Sequence, residues 1–167
     1  EQGSSPEEAL AESQSISRDN ARTPVQWDDS LYAGFSTHKP WIGVNPNYKE
    51  INAASQMKDD NSVFRFYQKL IALRKEHPVM AHGDFKLCCS EKGPVIAYTR
   101  SYQGETWLAV QNFSKETQEF AYQEADVKLQ PDTPVIISNY EENSIDFHNG
   151  VLSLKPYETV VFQLRSC

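Results

Sequence analysis

The chain has 167 residues, of which 39% are hydrophobic and 23% are charged, and its 23 acidic and 16 basic residues give a formal net charge of −7. This length fits one domain or two small ones, and the acidic balance excludes the basic surface that binding to nucleic acid or to an anionic membrane requires. No apolar stretch approaches the ~18 residues of a transmembrane helix.

The first 15 residues, EQGSSPEEALAESQS, predict a surface segment. They are acidic and polar, the reverse of a signal peptide, and they lack an initiator Met, so we expect the chain to begin in the middle of a longer protein. The three cysteines, Cys88, Cys89 and Cys167, do not form a disulfide framework. Reduced thiols and a cytoplasmic location are therefore expected.

Residues 17–51 predict a long ordered loop. Pro24, Pro40 and Pro46 exclude a long helix there, and the segment shows neither the period of a strand nor that of a helix. Ordered loops of this length are unusual in compact domains and are often functional.

A helix is predicted next, from Asp60 or Asn61, either of which could supply the N-cap, to about His77. Its apolar residues recur at helical spacing, and basic residues occupy the last turn, where they complement the helix dipole. Pro78 is predicted to end it.

Beyond Pro78 the pattern becomes that of strands and turns. Seven short runs are rich in β-branched and aromatic residues: DFKLCCS, PVIAYTRSY, ETWLAVQNF, QEFAYQ, TPVIIS, GVLSL and TVVFQLR. In the third run Trp107 and Ala109 face one way while Leu108 and Val110 face the other, which is typical of a central strand. We predict an antiparallel β-sandwich from residue 79 onward.

Known catalytic and metal-binding patterns are not evident in the sequence. His38, His77, His82 and His148 are scattered, with no second ligand at metal-site spacing, so neither a metal nor a cofactor is expected. The acidic doublets, Asp28-Asp29, Asp59-Asp60 and Glu141-Glu142, fit turns and helix starts better than a glycosidase carboxylate pair. Asn112 lies in a glycosylation sequon but is interpreted as a turn residue.

The segment from Arg18 to Trp27 contains several side chains that could bind a ligand. Strong hydrogen-bonding groups cluster at residues 18–22, and Trp27 and Trp41 offer flat apolar faces of the kind on which sugars stack. The residues alone leave two interpretations open. Either these groups bind a ligand, or the arginines pair with acids and the tryptophans fill a core.

This segment resembles the α-glucosidase and oligo-1,6-glucosidase branch of the α-amylase superfamily, glycoside hydrolase family 13. The resemblance rests on SRDNARTPVQWD at 17–28, AGF at 33–35, KPWI at 39–42, NPNY at 45–48, IN at 51–52, LRK at 73–75 and VQNF at 110–113. It covers essentially the whole chain.

The resemblance implies an α+β fragment. Residues 1–78 would be the last loop and helix of a (β/α)8 barrel, and residues 79–167 an all-β antiparallel sandwich, the C-terminal domain. The nucleophile, the acid/base and the third catalytic carboxylate of such enzymes would lie upstream, so no catalytic residue is assigned here. One substrate-binding residue is carried over: Arg22, the arginine of ARTP, which would reach the glucose at the non-reducing end.

The resemblance predicts part of an exo-acting retaining α-glucosidase that acts on short α-linked gluco-oligosaccharides, with the rest of the barrel as its structural partner. Alternatives are a fragment of a trehalose-6-phosphate hydrolase or a sucrose isomerase, and a non-catalytic carbohydrate-binding module. The tyrosines of residues 79–167 are spread over several strands and turns, which does not favour a single binding platform. A structural role that covers and stabilises the barrel is favoured for this domain.

Overall fold

The structure is a computed structural model that describes residues 5–88, 93–125, 127–140 and 145–165. Its backbone contacts divide the chain into a first unit, residues 1–68, and a second unit, residues 69–167. Within the described ranges the α-helices are α1 Pro6–Ile16, α2 Ala53–Gln56, α3 Val63–Glu76 and α4 Pro78–His82. None of these is long and apolar enough to cross a membrane.

The helix α1 begins with a capping box. The Ser5 hydroxyl accepts a hydrogen bond from the Glu8 backbone N–H at 3.2 Å, and the Glu8 carboxylate accepts one from the Ser5 N–H at 2.8 Å. The pKa of Glu8 is lowered by hydrogen bonds to its carboxylate, first from the Ser5 backbone N–H and second from the Ser5 side chain. The rest of the first unit is a loop with three 3₁₀ turns, Asp19–Ala21, Leu31–Gly34 and Pro46–Lys49.

The predicted long helix is confirmed as α3, with different end groups. The hydroxyl of buried Ser62, rather than Asp60 or Asn61, accepts a hydrogen bond from the Arg65 N–H at 3.2 Å and caps the first turn. Pro78 ends α3 as predicted, but it also begins α4, because the first position of a helix needs no N–H donor. Residues 78–82 are therefore helical, and the first strand begins at Asp84.

The second unit contains two antiparallel sheets, in the order β1-β2-β3-β8-β5 and β4-β7-β6. The strands are β1 Asp84–Leu87, β2 Val95–Tyr102, β3 Glu105–Asn112, β4 Gln118–Phe120, β5 Val135–Ser138, β6 Asp146–His148, β7 Val151–Leu154 and β8 Thr159–Leu164. The predicted antiparallel sandwich is confirmed. The strand β6 was not predicted, since three residues are too few to show a period.

The strand β3 lies at the centre of the five-stranded sheet, as its pattern predicts. Its side chains Leu108 and Val110 are fully buried in the core between the sheets, with Phe162 of β8 and Leu152 and Leu154 of β7. Trp107 and Ala109 lie on the opposite face, which we call the outer face, and they too are buried. The helix α4 packs on this outer face against β2 and β3.

A buried amide joins three segments at one end of the sandwich. Asn112 is only 3% exposed, and its Nδ2 donates to the carbonyls of Glu116 and Lys155, both at 2.8 Å. Its Oδ1 accepts from the N–H and the hydroxyl of Ser114, at 2.9 and 2.8 Å. Each end of the amide is thus satisfied. Asn112 is the last residue of β3 rather than a turn residue, and its side chain holds the turn that follows the strand.

Candidate functional site

The backbone around Arg22 is held by local structure. Arg22 follows the 3₁₀ turn Asp19–Ala21, and its N–H donates to the Asp19 carbonyl at 2.9 Å. The turn is entered through Ser17, whose hydroxyl accepts from the Asp19 N–H at 3.2 Å. Pro24, two residues later, is buried and restricts the backbone. The side chain of Arg22 therefore extends from a fixed backbone position.

The side chain of Arg22 is exposed, and its guanidinium has no hydrogen-bond or ion-pair partner among the described residues. Arg18 and Asp19 are exposed in the same turn. The interpretation that these arginines pair with acids is therefore not what the described part of the chain shows. A free guanidinium on a fixed backbone can donate in two directions at once, to a hydroxyl and to a carboxylate.

The next residues are anchored to the start of α2. The backbone carbonyls of Gln26 and Trp27 accept hydrogen bonds from the N–H groups of Ala53 and Ala54, at 2.8 and 2.9 Å. The Gln26 side chain donates to Asn47 Oδ1 at 3.2 Å and also to the carbonyl of Ile51. Hydrogen bonds from Gln26 to Asn47 and Ile51 thus hold the loop that carries Arg22.

A tight turn follows, in which Tyr32, Ala33 and Gly34 all have positive φ, at 55°, 58° and 63°. A Cβ at Gly34 would lie 2.8 Å from the Asp28 carboxylate oxygens, so only glycine fits at this position. Hydrogen bonds from the Ser30 hydroxyl and, to a smaller extent, from its N–H lower the pKa of Asp28. Asp28 is thus a turn-forming residue, as interpreted from sequence.

The two tryptophans of the loop do not fill a core. Trp27 is 54% exposed and Trp41 86% exposed. Asn52, in contrast, is buried and structural: its Oδ1 accepts from the Ser55 N–H at 2.8 Å, and its Nδ2 donates to the Tyr48 carbonyl at 2.9 Å. The motif residues therefore separate into those that hold the loop through hydrogen bonds, such as Gln26 and buried Asn52, and exposed groups available to a ligand.

Other candidate groups have local partners. His148 lies 3.5 Å from Glu119 and 3.7 Å from Asp146, and the Asp59 carboxylate accepts from the Asn61 N–H. No three His, Cys, Asp or Glu residues in the described ranges are placed to hold a metal ion. Cys88 is half-buried against the core, while Cys89, Cys167 and the doublet Glu141-Glu142 lie outside the described residues.

Sequence reasoning missed a polar cluster on the outer face of the sandwich. The Glu105 carboxylate accepts from Trp107 Nε1 at 2.7 Å and lies 3.7 Å from His77 Nδ1. Arg100 lies across the strand pair from Trp107. Period-two patterning places Arg100 on this face, but only the register of β2 with β3 shows which residues it meets.

Two family models cover most of the chain. The model for the α-amylase catalytic domain matches residues 1–83, and the model for the C-terminal domain of the α-amylase SusG matches residues 95–161.

Similar proteins are several times longer than this chain. An oligo-1,6-glucosidase of Halalkalibacterium halodurans is 43% identical over 96% of the chain and 28% of its own length. A trehalose-6-phosphate hydrolase of Bacillus subtilis is 37% identical over 98% of the chain and 29% of its own length. The chain thus spans less than a third of these relatives.

Solved structures give the same result. The trehalulose synthase MutB from Pseudomonas mesoacidophila MX-45 superposes with a TM-score of 0.81 at 40% identity, over 96% of this chain and 28% of MutB. A trehalose-6-phosphate hydrolase of Bacillus licheniformis superposes with a TM-score of 0.83 at 34% identity, over 98% of this chain and 29% of its own. From the matched models, the relatives and the shared fold, the chain belongs to the α-amylase family, glycoside hydrolase family 13.

Proposed function

We propose that this chain is part of an exo-acting, retaining α-glucosidase that hydrolyses short α-linked gluco-oligosaccharides. The proposal takes residues 1–78 as the end of the catalytic barrel and residues 79–167 as a C-terminal domain that covers and stabilises it. The catalytic carboxylates would lie in the preceding barrel, so the chain supplies a substrate-binding residue and no catalytic one. No cofactor or metal is assigned to the residues of this chain, and the cytoplasmic location stays a prediction.

The observation that carries the proposal is that the Arg22 guanidinium is exposed on a fixed backbone. Its backbone is fixed by the Asp19–Ala21 turn, and its guanidinium is exposed without a partner in the described part of the chain. Oligo-1,6-glucosidases are among the relatives that match nearly the whole chain. We propose that Arg22 donates to a hydroxyl of the terminal glucose and to a carboxylate of the barrel.

Two sister activities remain alternatives, because trehalose-6-phosphate hydrolases and a trehalulose synthase also match at 34% to 40% identity. Comparing glucose release from maltose and isomaltose with cleavage of trehalose 6-phosphate and isomerisation of sucrose would separate them. A carbohydrate-binding module is the third alternative. It would predict sugar binding by residues 79–167 in the absence of any barrel.

The test is substitution of Arg22 in the longer enzyme. Arg22→Ala removes a charge-assisted bond and leaves a carboxylate unpaired, so we expect a loss of about 2–4 kcal/mol in transition-state binding, roughly 30- to 1000-fold in kcat/KM. Arg22→Lys should recover little, because an ammonium lacks the planar two-way geometry of a guanidinium.

Arg18→Ala is the matched control, since Arg18 is an exposed arginine of the same turn. It should leave kcat/KM within a few-fold of the parent enzyme. An unchanged kcat/KM in Arg22→Ala would end the substrate-binding role. So would a lowered melting temperature with normal kinetics in the folded fraction, which would make Arg22 a loop anchor.

A further inference from the structure

The second unit has cavities on both faces of its five-stranded sheet. One of about 410 Å³ lies on the outer face beside Arg100, with Met80 of α4 in its wall. Another of about 640 Å³ lies on the opposite face, which is turned towards the second sheet. We call it the inner cavity. Its lining differs from the apolar core on the same face, because most of its groups are polar or charged.

The inner cavity begins where the inner face of the sheet changes from apolar to polar. Along β2, Val95 and Ala97 belong to the core, whereas Thr99 and Ser101, which point the same way, line the cavity. Ser101 pairs with Thr106 of β3, and their hydroxyls lie 3.0 Å apart. One hydroxyl of this pair donates to the other, so the second O–H is available to another acceptor.

The hydroxyl of Thr99 is unpaired at the wall of this cavity. Thr99 is only 9% exposed, yet its side chain has no hydrogen-bond partner among the residues that the structure describes. Across the strands it lies between Lys86 of β1 and Leu108 of β3. Buried hydroxyls are normally paired, because their lost hydration is otherwise uncompensated. A ligand atom in the cavity would complete the bonding of Thr99.

Three cationic side chains line the same cavity: Lys86, Lys128 and Arg165. Exposed Lys86 has no ion-pair partner in the described part of the chain. Arg165 bonds to Asp132 through Nη2 at 2.7 Å, which leaves other N–H groups of its guanidinium to donate elsewhere. None of the described lining residues is acidic, although Asp84 pairs with Ser101 just outside the lining. This concentration of cations contrasts with the net charge of −7.

The lining is therefore rich in hydrogen-bond donors and poor in acceptors. Ammonium and guanidinium groups only donate, and the hydroxyls can donate as well. The donors belong to β1, β2, β3, the segment at residue 128 and the residue after β8, so they approach the cavity from several sides. A tetrahedral phosphate, with more acceptor oxygens than a planar carboxylate and nearly two negative charges as a monoester, matches this arrangement.

We propose that the inner cavity binds the phosphate group of a small metabolite, with Lys86, Arg165 and Thr99 among its donors. The cavity is larger than a phosphate ion needs and falls in the size range of small-molecule sites. A sugar-sized body attached to the phosphate would lie against the apolar side chains of Val127 and Leu164, which also line the cavity. The inference goes beyond the proposed function and does not depend on it.

Acetylation of lysines, read by mass spectrometry on the longer protein, tests the site locally. Glucose 6-phosphate at about ten times its Kd occupies about 90% of a single site, so it should lower acetylation of Lys86 roughly fivefold or more. Lys115, which is exposed and outside the cavity, is the internal reference and should not change. Sodium chloride at equal ionic strength controls for screening.

Three ligands distinguish the possible sources of the phosphate: inorganic phosphate, glucose 6-phosphate and glucose. Equal protection of Lys86 by the two phosphates would show that the phosphate group alone is recognised. Stronger protection by glucose 6-phosphate would show that the sugar is bound as well. Protection by glucose equal to that by glucose 6-phosphate would overturn recognition of phosphate.

Variants test the individual donors by calorimetry. Thr99→Val removes the hydroxyl and keeps the branched shape, so it should weaken glucose 6-phosphate binding about tenfold without lowering Tm. Lys86→Gln removes a charge-assisted bond and should weaken binding by about tenfold or more. Lys115→Gln makes the same change of charge outside the cavity and should leave Kd unaltered. A lower Tm with an unchanged Kd in Thr99→Val would make that hydroxyl structural and overturn the site.

Three labelling results would also overturn the proposal: equal acetylation of Lys86 with and without the phosphates, protection that sodium chloride reproduces, or a Lys86 that is unreactive before any ligand is added. The second would indicate screening only, and the third would indicate that the longer protein itself covers the cavity. Glucose release by the Thr99→Val and Lys86→Gln variants should match that of the parent protein. An inactive parent with a protected Lys86 would refute only the proposed function.

Discussion

The buried amide of Asn112 gives a quantitative prediction for the sandwich. Asn112→Ala removes the bonds to Glu116 and Lys155 and the two bonds from Ser114, all at 2.8 to 2.9 Å, together with a longer bond to the Leu154 carbonyl at 3.4 Å. A typical intramolecular hydrogen bond contributes about 1 kcal/mol net, and an unsatisfied buried partner costs about 1–3 kcal/mol. Glu116 and Ser114 are exposed or half-buried and can regain water, so we expect a loss of about 2–4 kcal/mol.

Urea unfolding, followed by circular dichroism in the strand region, measures this loss as a change in midpoint. In a domain of this size it corresponds to a fall of about 10 °C or more in Tm. Asn139→Ala is the matched control. Asn139 also bonds at both ends, to Tyr157 and Thr159 at 2.9 and 2.8 Å, but it is exposed and should cost under about 1 kcal/mol. Equal, small losses in the two variants would refute the argument from burial.

Three further results are expected. Phe162→Ala should destabilise the sandwich by about 3–5 kcal/mol in guanidinium unfolding, because Phe162 is fully buried between the sheets; a loss under about 1 kcal/mol would contradict this. Ser30→Ala should raise the pKa of Asp28 towards its ordinary value in a carbon-detected NMR titration. Because the folded-state pKa is lowered, the stabilising contribution is complete above the ordinary carboxyl pKa and is lost as pH falls through the folded value, and an unchanged midpoint would count against the Ser30 bonds. Assayed alone on maltose, isomaltose or a nitrophenyl α-glucoside, this chain should release no glucose, since the mechanism needs carboxylates expected upstream; measurable turnover would overturn the assignment.

Elements whose apolar residues repeat with a regular period could be predicted from the sequence. The apolar residues on both sides of β3 predicted a central strand, and the spacing in α3 predicted a helix, because burial on a regular element repeats along the chain. Where no period exists the prediction failed. The strand β6 has three residues, and α4 has five, beginning at a proline expected only to end a helix.

The candidate site also has features that were predicted from the sequence and features that only the structure shows. Arg22 was singled out by the resemblance, and the structure leaves its guanidinium exposed, although its role stays a prediction. The cavity beside Arg100 was not foreseeable, because its walls combine α4, which was not predicted, with four strands whose register the sequence does not show. The exposed tryptophans exclude the core alternative within this chain, which composition alone could not do.

The helix α3 runs from Val63 to Glu76 and so continues across the division between residues 68 and 69. A protease or a cloning boundary placed at that division would not cut a linker. It would sever about four i→i−4 backbone hydrogen bonds and create two helix ends without caps. Dissection of the protein into autonomous pieces should therefore be attempted on either side of the whole helix, with Val63–Glu76 kept intact in one piece.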